Sequence, residues 1–260
     1  MLTRIVSGLV LLAVVVAVVV ALPPWGTIAL AAVVVALASH EFARLAGPGG
    51  FAALPMVVAT VASSLAMAFG GPVSVVLLAA LIVVGALAVG RGRPDEDALR
   101  QVGVALAAPV YIGVPAGAIL ALRVEFGPWA LLAALLTVMA SDIAQFFGGR
   151  ALGRRLLAPV VSPKKTVEGA VSGVAAAAVV LPALGAWWLP GAGMLWLAIL
   201  GVLMALLGIV GDLFESLIKR SAGVKDSSSL IPGHGGMLDR VDSLLFAVPV
   251  LYVWLRYATP

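Results

Sequence analysis

Nine apolar runs, most of them jointed by glycine and proline, leave this chain few ways to fold. They are Ile5–Leu22, Thr27–Leu45, Phe51–Phe69, Val73–Val89, Val102–Leu122, Pro128–Phe147, Ala170–Leu189, Met194–Val210 and Ser243–Tyr257. A helix needs about 20 apolar residues to cross the hydrocarbon of a bilayer. Every backbone polar group there must be satisfied within its own segment, so runs of this kind predict helices. Only 11% of residues are charged and 63% are hydrophobic, whereas soluble domains carry about 25% charged residues. The expected fold is an all-α polytopic membrane protein of about nine transmembrane helices. Residues 1–260 are read as a single integral membrane domain, with N-terminal helices over 1–125 and the chemistry over 126–260. Arg4 before the first run also suits a cleaved signal peptide, but no small-x-small cleavage site follows, so an uncleaved helix is expected. The chain contains no cysteine, which removes disulfides, thiolate nucleophiles and thiolate metal sites.

Nine crossings allow the orientation to be read from Lys and Arg. With a cytoplasmic N-terminus, the inner segments hold Arg4, Arg44, Arg91, Arg93, Arg100, Arg150, Arg154, Arg155, Lys164, Lys165, Lys219, Arg220, Lys225 and Arg240. The outer segments hold Arg123 and Arg256 alone. That asymmetry follows the positive-inside bias. It places two charged loops, 148–169 and 211–242, on the cytoplasmic side of the inner membrane.

Charge is gathered most densely between Gly211 and Asp242, where Asp212, Glu215, Asp226, Asp239 and Asp242 meet Lys219, Arg220, Lys225, Arg240 and His234. Asp212 closes one run, and Asp239 and Asp242 open the next at a spacing that puts them on neighbouring helix faces. Several carboxylates at a membrane surface suit a hard cation such as Mg²⁺, which takes oxygen ligands and bridges to phosphates. Between them, Pro232-Gly233-His234-Gly235-Gly236 allows close backbone approach to a ligand. A plain connecting hairpin, with Asp239 capping the last helix, is the competing reading. His234 is open to three roles: ligand contact, general acid or satisfied loop histidine.

Two other places stand out. Ser162-Pro163-Lys164-Lys165-Thr166-Val167-Glu168-Gly169 begins with a dipeptide biased to extended structure. It then presents two ammonium groups and a hydroxyl, which suit phosphate oxygens. Basic residues at this face also meet anionic lipid, at roughly 1 kcal/mol each, and that accounts for Arg150, Arg154 and Arg155. Glu41 and Asp142 lie in apolar runs, where a charge at a helix centre costs about 2.5–3.5 kcal/mol. Each is either a solvated acid near the headgroups or faces a polar cavity. Carboxylates, a divalent ion and clustered bases together point to phosphoryl or nucleotidyl transfer, which depends on alignment and charge neutralisation.

The run S-L-I-K-R-S-A-G-V-K-D-S-S-S-L-I-P-G-H-G-G-M-L-D-R-V-D, Ser216 to Asp242, closely resembles the signature of the phosphatidate cytidylyltransferase (CDP-diacylglycerol synthase) family. That pattern is S-x-x-K-R-x-x-x-x-K-D … P-x-H-G-G-x-x-D-R-x-D, and every fixed position is present. Asp142 with Gly148-Gly149-Arg150, and the S-P-K-K-T-V-E-G block, also look like family segments, with Val167 where an aromatic residue is expected. The resemblance covers about residues 142–246; the first five runs match only in being apolar.

The resemblance implies the reaction CTP + phosphatidate → CDP-diacylglycerol + pyrophosphate, within phospholipid biosynthesis. It implies Mg²⁺ held by Asp212 and Asp239, and a homodimer; from their placement in the sequence, Asp142 is a further candidate ligand with Asp242 in reserve, and transfer chemistry of this kind also suits a second cation. The expected catalytic set is Asp212, Asp239, Lys219, Arg220, Lys225 and His234. The expected substrate contacts are Ser162, Lys164, Lys165, Thr166, Ser216, Asp226, Gly235, Gly236 and Arg240. The expected partners are CTP, phosphatidate in the bilayer and membrane lipids, with no nucleic acid. A CTP-dependent transferase acting on another lipid phosphate or a polyprenol is the nearest alternative. An ion-coupled transporter is the alternative of another class, although such sites sit near the midplane in repeated halves and no repeat is visible here.

Overall fold

A computed structural model of the chain describes residues 2–47, 52–92, 96–188, 192–231, 233 and 235–258. These residues are almost entirely helical. The helices are α1 (Leu2–Ala21), α2 (Pro24–Leu45), α3 (Ala53–Ala68), α4 (Val73–Arg91), α5 (Glu96–Ala108), α6 (Val114–Glu125), α7 (Pro128–Leu152), α8 (Val167–Trp188), α9 (Met194–Ser221) and α10 (Leu238–Tyr257). A π-helical turn, Pro109–Gly113, joins α5 to α6. Strands β1 (Leu156–Ala158) and β2 (Ser162–Thr166) form an antiparallel hairpin between α7 and α8. Among the described residues each of the nine apolar runs is mostly helical, and the all-α membrane class holds.

Proline and glycine act where the sequence suggests. Pro24 and Pro128 occupy the first helical position of α2 and α7, where their missing N–H is harmless. Pro109 lies inside a helical stretch. It cannot donate to the carbonyl four residues back, and the backbone widens to a π turn closed by Val114 N–H donating to the Pro109 carbonyl. The run Val102–Leu122 is thus one helical stretch with a defect.

Six stretches are long and apolar enough to cross a membrane among the described residues: α2, α4, α5 through α6, α7, α8 and α9. The other three runs are helices that fall short of that measure. Helix α3 has 16 residues, fewer than a full crossing needs, and α10 carries Asp239, Arg240, Asp242 and Arg256. In α1 the shorter stretch Val10–Ala21 is apolar.

The chain forms two compact units, 1–125 with 221–241, and 126–220 with 242–260. In the first, α3 packs on α2, α4, α6 and the π turn. Gly113 and Gly117 are one turn apart and meet α3 without side chains. A Cβ on Gly113 would stand 2.6 Å from the Thr60 carbonyl oxygen, and one on Gly117 would stand 2.5 Å from that of Ser64. Small residues at this spacing let apolar helices approach closely.

In the second unit the closest pair is α7 with α8. A Cβ on Gly169 would lie 2.7 Å from the Gln145 carbonyl oxygen, and one on Gly173 would lie 2.9 Å from that of Ser141. Gly211 of α9 likewise faces the Asp242 carbonyl oxygen and Phe246 of α10, at 2.6 and 2.9 Å from an added Cβ. This contact seats α10 from Asp242 onward against α9 at Gly211, next to Asp212.

Two boundaries depart from the sequence reading. Helix α9 does not stop at Val210 but runs to Ser221, so Asp212, Ser216, Lys219 and Arg220 are helical rather than loop residues. Leu, Ile, Glu, Lys and Arg are good helix formers, and the Glu215–Lys219 pair has the favourable i, i+4 orientation. Lys219 and Arg220 complement the negative end of the helix, and Gly223 at φ 72° follows it. Similarly, the segment 148–169 is the end of α7, the hairpin and the start of α8.

Candidate active site

The second unit holds a basic and acidic cluster built from the hairpin, α7, α9 and α10. Lys164 and Lys165 are neighbours on β2, in the stretch where the strand bulges against β1. Lys164 is exposed. Lys165 is half-buried and its ammonium lies 2.7 Å from Oδ2 of Asp212. The Ser216 hydroxyl donates to Oδ1 of the same carboxylate at 3.4 Å, one turn along α9. Ser162 is half-buried at the start of β2.

Thr166 has a structural task. Its Oγ1 accepts the Gly169 N–H at 3.1 Å, the N-cap bond that satisfies an orphan donor of α8. Glu168 folds back, and its Oε2 accepts the backbone N–H groups of Arg154 and Arg155 at 2.9 and 3.2 Å. Together these fasten the hairpin to the first turn of α8.

Lys219 is buried, at 9% exposure. Its ammonium pairs with Oε2 of the fully buried Glu215 at 2.5 Å. Lys219 is therefore not the solvated loop base of the sequence reading, whereas Arg220 beside it is exposed. Asp242 lies within electrostatic range of Asp212, Asp142 and Lys219. Asp142 sits within α7 rather than at its end, and its Oδ1 accepts from Gln145 Nε2 at 3.1 Å. Among the described residues no three His, Asp or Glu side chains are disposed to hold a metal ion.

In the first unit the segment after α9 folds around two carboxylates. Oδ2 of Asp239 accepts from Ser227 N at 3.0 Å, Ser227 Oγ at 2.9 Å and Gly236 N at 2.7 Å. Asp239 is 9% exposed and stands in the first turn of α10, where the helix dipole favours a negative charge. Glu41 from α2 is met by four donors of the same segment, one of them shared with Asp239. Its Oε1 accepts from Ser228 Oγ at 2.7 Å and Met237 N at 2.9 Å. Its Oε2 accepts from Ser227 Oγ and Leu238 N, both at 2.8 Å.

The glycines of this loop have identifiable reasons. Gly235 adopts φ 78°, the left-handed region that glycine enters without strain, and its N–H and carbonyl face Ile231 across an isolated bridge. A Cβ on Gly236 would overlap Ser227 Oγ and Glu41 Oε2. Gly236 thus makes room for protein groups, where the sequence reading assigns the space to a ligand. Lys225, Asp226 and Arg240 are exposed around the loop. His234 lies outside the described residues.

Sequence reasoning missed the full roles of Glu41, Ser227 and Ser228. The available signal was an acid inside an apolar run, since a buried carboxylate requires donors. The partners lie 186 to 197 residues away in sequence, so no local pattern could name them.

Comparison with known proteins bears on this arrangement. A model of the cytidylyltransferase family matches residues 2–258. The match extends well before Asp142, into helices that the sequence reading recognises by hydropathy alone. A phosphatidate cytidylyltransferase of Helicobacter pylori is 38% identical over 188 residues, covering 72% of this chain and 67% of that protein. A phosphatidate cytidylyltransferase of Synechocystis is 46% identical over 126 residues, covering 47% of this chain and 42% of the relative. The uncharacterized protein YnbB of Escherichia coli is 41% identical over 135 residues, 52% of this chain and 45% of that protein. The chain thus spans less than half the length of the last two. Matched along nearly its whole length, this chain belongs to the cytidylyltransferase family.

Proposed function

We propose that the chain is a phosphatidate cytidylyltransferase, converting CTP and phosphatidate to CDP-diacylglycerol and pyrophosphate for phospholipid biosynthesis. The observation that carries this is the uninterrupted signature from Ser216 to Asp242 in a chain whose family match runs from residue 2 to 258. A phosphate oxygen of phosphatidate attacks the α-phosphorus of CTP. The new O–P bond forms as the bond to the β-phosphate bridge breaks, and pyrophosphate leaves with the bonding pair. The second ionisation of a phosphate monoester falls near pH 6, so the attacking oxygen needs no strong base from the protein.

What the protein must supply is alignment and positive charge. Lys165, Lys219 and Arg220 of the second unit provide the charge in this reading. Lys164 and Arg240, both exposed, contribute to drawing anionic substrates to the surface. Carboxylate oxygens are the hard ligands that Mg²⁺ takes, and Asp212, Asp142 and Asp242 are the proposed ligands in the second unit, although the three are not gathered around one ion position in this structure. Asp239 is proposed as a ligand on the signature alone. When bound, the ion supplies charge neutralisation on the transferring phosphates.

The proposal includes a homodimer, on the resemblance, and a cytoplasmic active face of the inner membrane. With all nine runs taken as crossings, fourteen of the sixteen Lys and Arg fall on one side, which supports the orientation.

Purified protein in detergent is incubated with CTP, Mg²⁺ and phosphatidate. Release of one pyrophosphate per CDP-diacylglycerol is the expected result. Product only from a polyprenol or another lipid phosphate, or no nucleotide turnover with any of them, would overturn the assignment.

A further inference from the structure

We propose that Glu41 is a positioning residue for the transfer reaction, acting through the glycine loop rather than by touching substrate. The inference rests on the cytidylyltransferase reading. Glu41 is 4% exposed and sits near the C-terminal end of α2. Burial disfavours a carboxylate, and the negative end of a helix disfavours it again. Nothing in α2 itself calls for an acid here. What stabilises it is the segment Ser227–Leu238, which supplies two hydroxyl and two backbone donors to its two oxygens.

The segment is in turn shaped to the carboxylate. Met237 N and Leu238 N are among the orphan donors at the start of α10, so Glu41 caps that helix from a distant element. Gly236 leaves the space that Glu41 Oε2 and Ser227 Oγ occupy. The Ser227 hydroxyl stands between Glu41 and Asp239, at 2.8 and 2.9 Å. It has one proton, so it donates to one carboxylate at a time and couples their positions. Gly235, Gly236, Asp239 and Arg240, all in the family signature, thus take their backbone positions from a residue outside the signature. Hydrogen bonds to a buried charged acceptor are the strong ones, and a displacement of about 1 Å at a reacting centre costs about a hundredfold in rate.

The test pairs kinetics with a local probe. The chain has no native cysteine, so a nitroxide can be placed at the exposed Leu230 in the loop, as Leu230→Cys, and at the exposed hairpin tip, as Val160→Cys. Glu41→Gln puts an amide NH₂ against groups that are themselves donors. It should free the label at 230 while leaving that at 160 unchanged. It should also lower kcat/KM for CTP at least about tenfold, chiefly through kcat. Glu41→Asp keeps the charge and should recover part of both effects. If neither variant inserts, Ser228→Ala removes one donor to Oε1 and should move both readouts the same way by less.

Kinetics within twofold of wild type in Glu41→Gln, or in Ser228→Ala where it is the variant used, would overturn the proposal. Slower turnover with an unchanged label at 230, or equal loosening at 230 and 160, would also overturn it. A wild-type protein that makes no CDP-diacylglycerol, yet whose loop loosens in Glu41→Gln, would remove the reaction reading and leave the loop-holding role of Glu41 standing.

Discussion

The Lys165 ammonium lies 2.7 Å from the Asp212 carboxylate, joining a base assigned to phosphate with an acid assigned to a metal. Neither group waits in isolation. Each neutralises the other in a half-buried setting where the effective dielectric is lower than that of water, and phosphates with a cation would re-sort the pair.

Because the two charges are coupled, their substitutions should not add. Lys165→Ala and Asp212→Asn are each expected to reduce kcat/KM for CTP about a hundredfold. The double variant should be only slightly worse than the poorer single one. Steady-state kinetics on all three purified variants measure the coupling. Additive losses would show that the contact has no part in the reaction.

Lys219 is expected to matter for stability as well as for turnover. Removing one partner of a buried ion pair costs about 3–5 kcal/mol, because the other charge is left without compensation. Lys219→Ala should therefore lower the thermal midpoint in detergent, with Glu215 stranded in the interior. Glu215→Ala added to Lys219→Ala should restore much of the midpoint while activity stays lost. An unchanged midpoint in Lys219→Ala would mean that the pair is not buried as described.

A methyl group at position 236 has no room. Gly236→Ala would press on Ser227 Oγ and Glu41 Oε2, and the loop rather than the helices must yield. Helical content by circular dichroism should be unchanged, while kcat/KM falls about tenfold or more. Wild-type kinetics would show that the loop tolerates the shift.

The orientation is open to direct measurement in intact cells. With no native cysteine, single substitutions Lys164→Cys and His234→Cys report their own side. Both should be shielded from an impermeant maleimide added outside and should label after permeabilisation. Labelling of either from outside would reverse the proposed topology.

Much of the fold is legible in the sequence because bilayer physics is simple. An apolar run of sufficient length has few alternatives to a helix, and the described part of each of the nine runs is mostly helical. Boundaries were less legible. Hydropathy ends where charge begins, at Val210, but the backbone of α9 continues to Ser221, since Glu and Lys propagate a helix as well as Leu does. The signature named the loop and its glycines without showing what they pack against. Gly236 reads as space for a ligand until Glu41 is seen to occupy it. Lys164 and Lys165 read as equivalent until the hairpin is seen to leave one exposed and set the other against Asp212.

The hairpin is thus a selector between two chemically identical neighbours. Two pairings, Leu156 with Thr166 and Ala158 with Ser162, hold it, with a bulge in β2 between them, and so short a ladder resists slippage weakly. A shift of one residue would exchange the faces of every side chain on the strand and present Lys164 to Asp212 in place of Lys165. Thr166 forbids this, because its hydroxyl oxygen is tied to Gly169 N in the first turn of α8. Which lysine meets the carboxylate is thus decided at a helix cap one residue away, by a group that carries no charge.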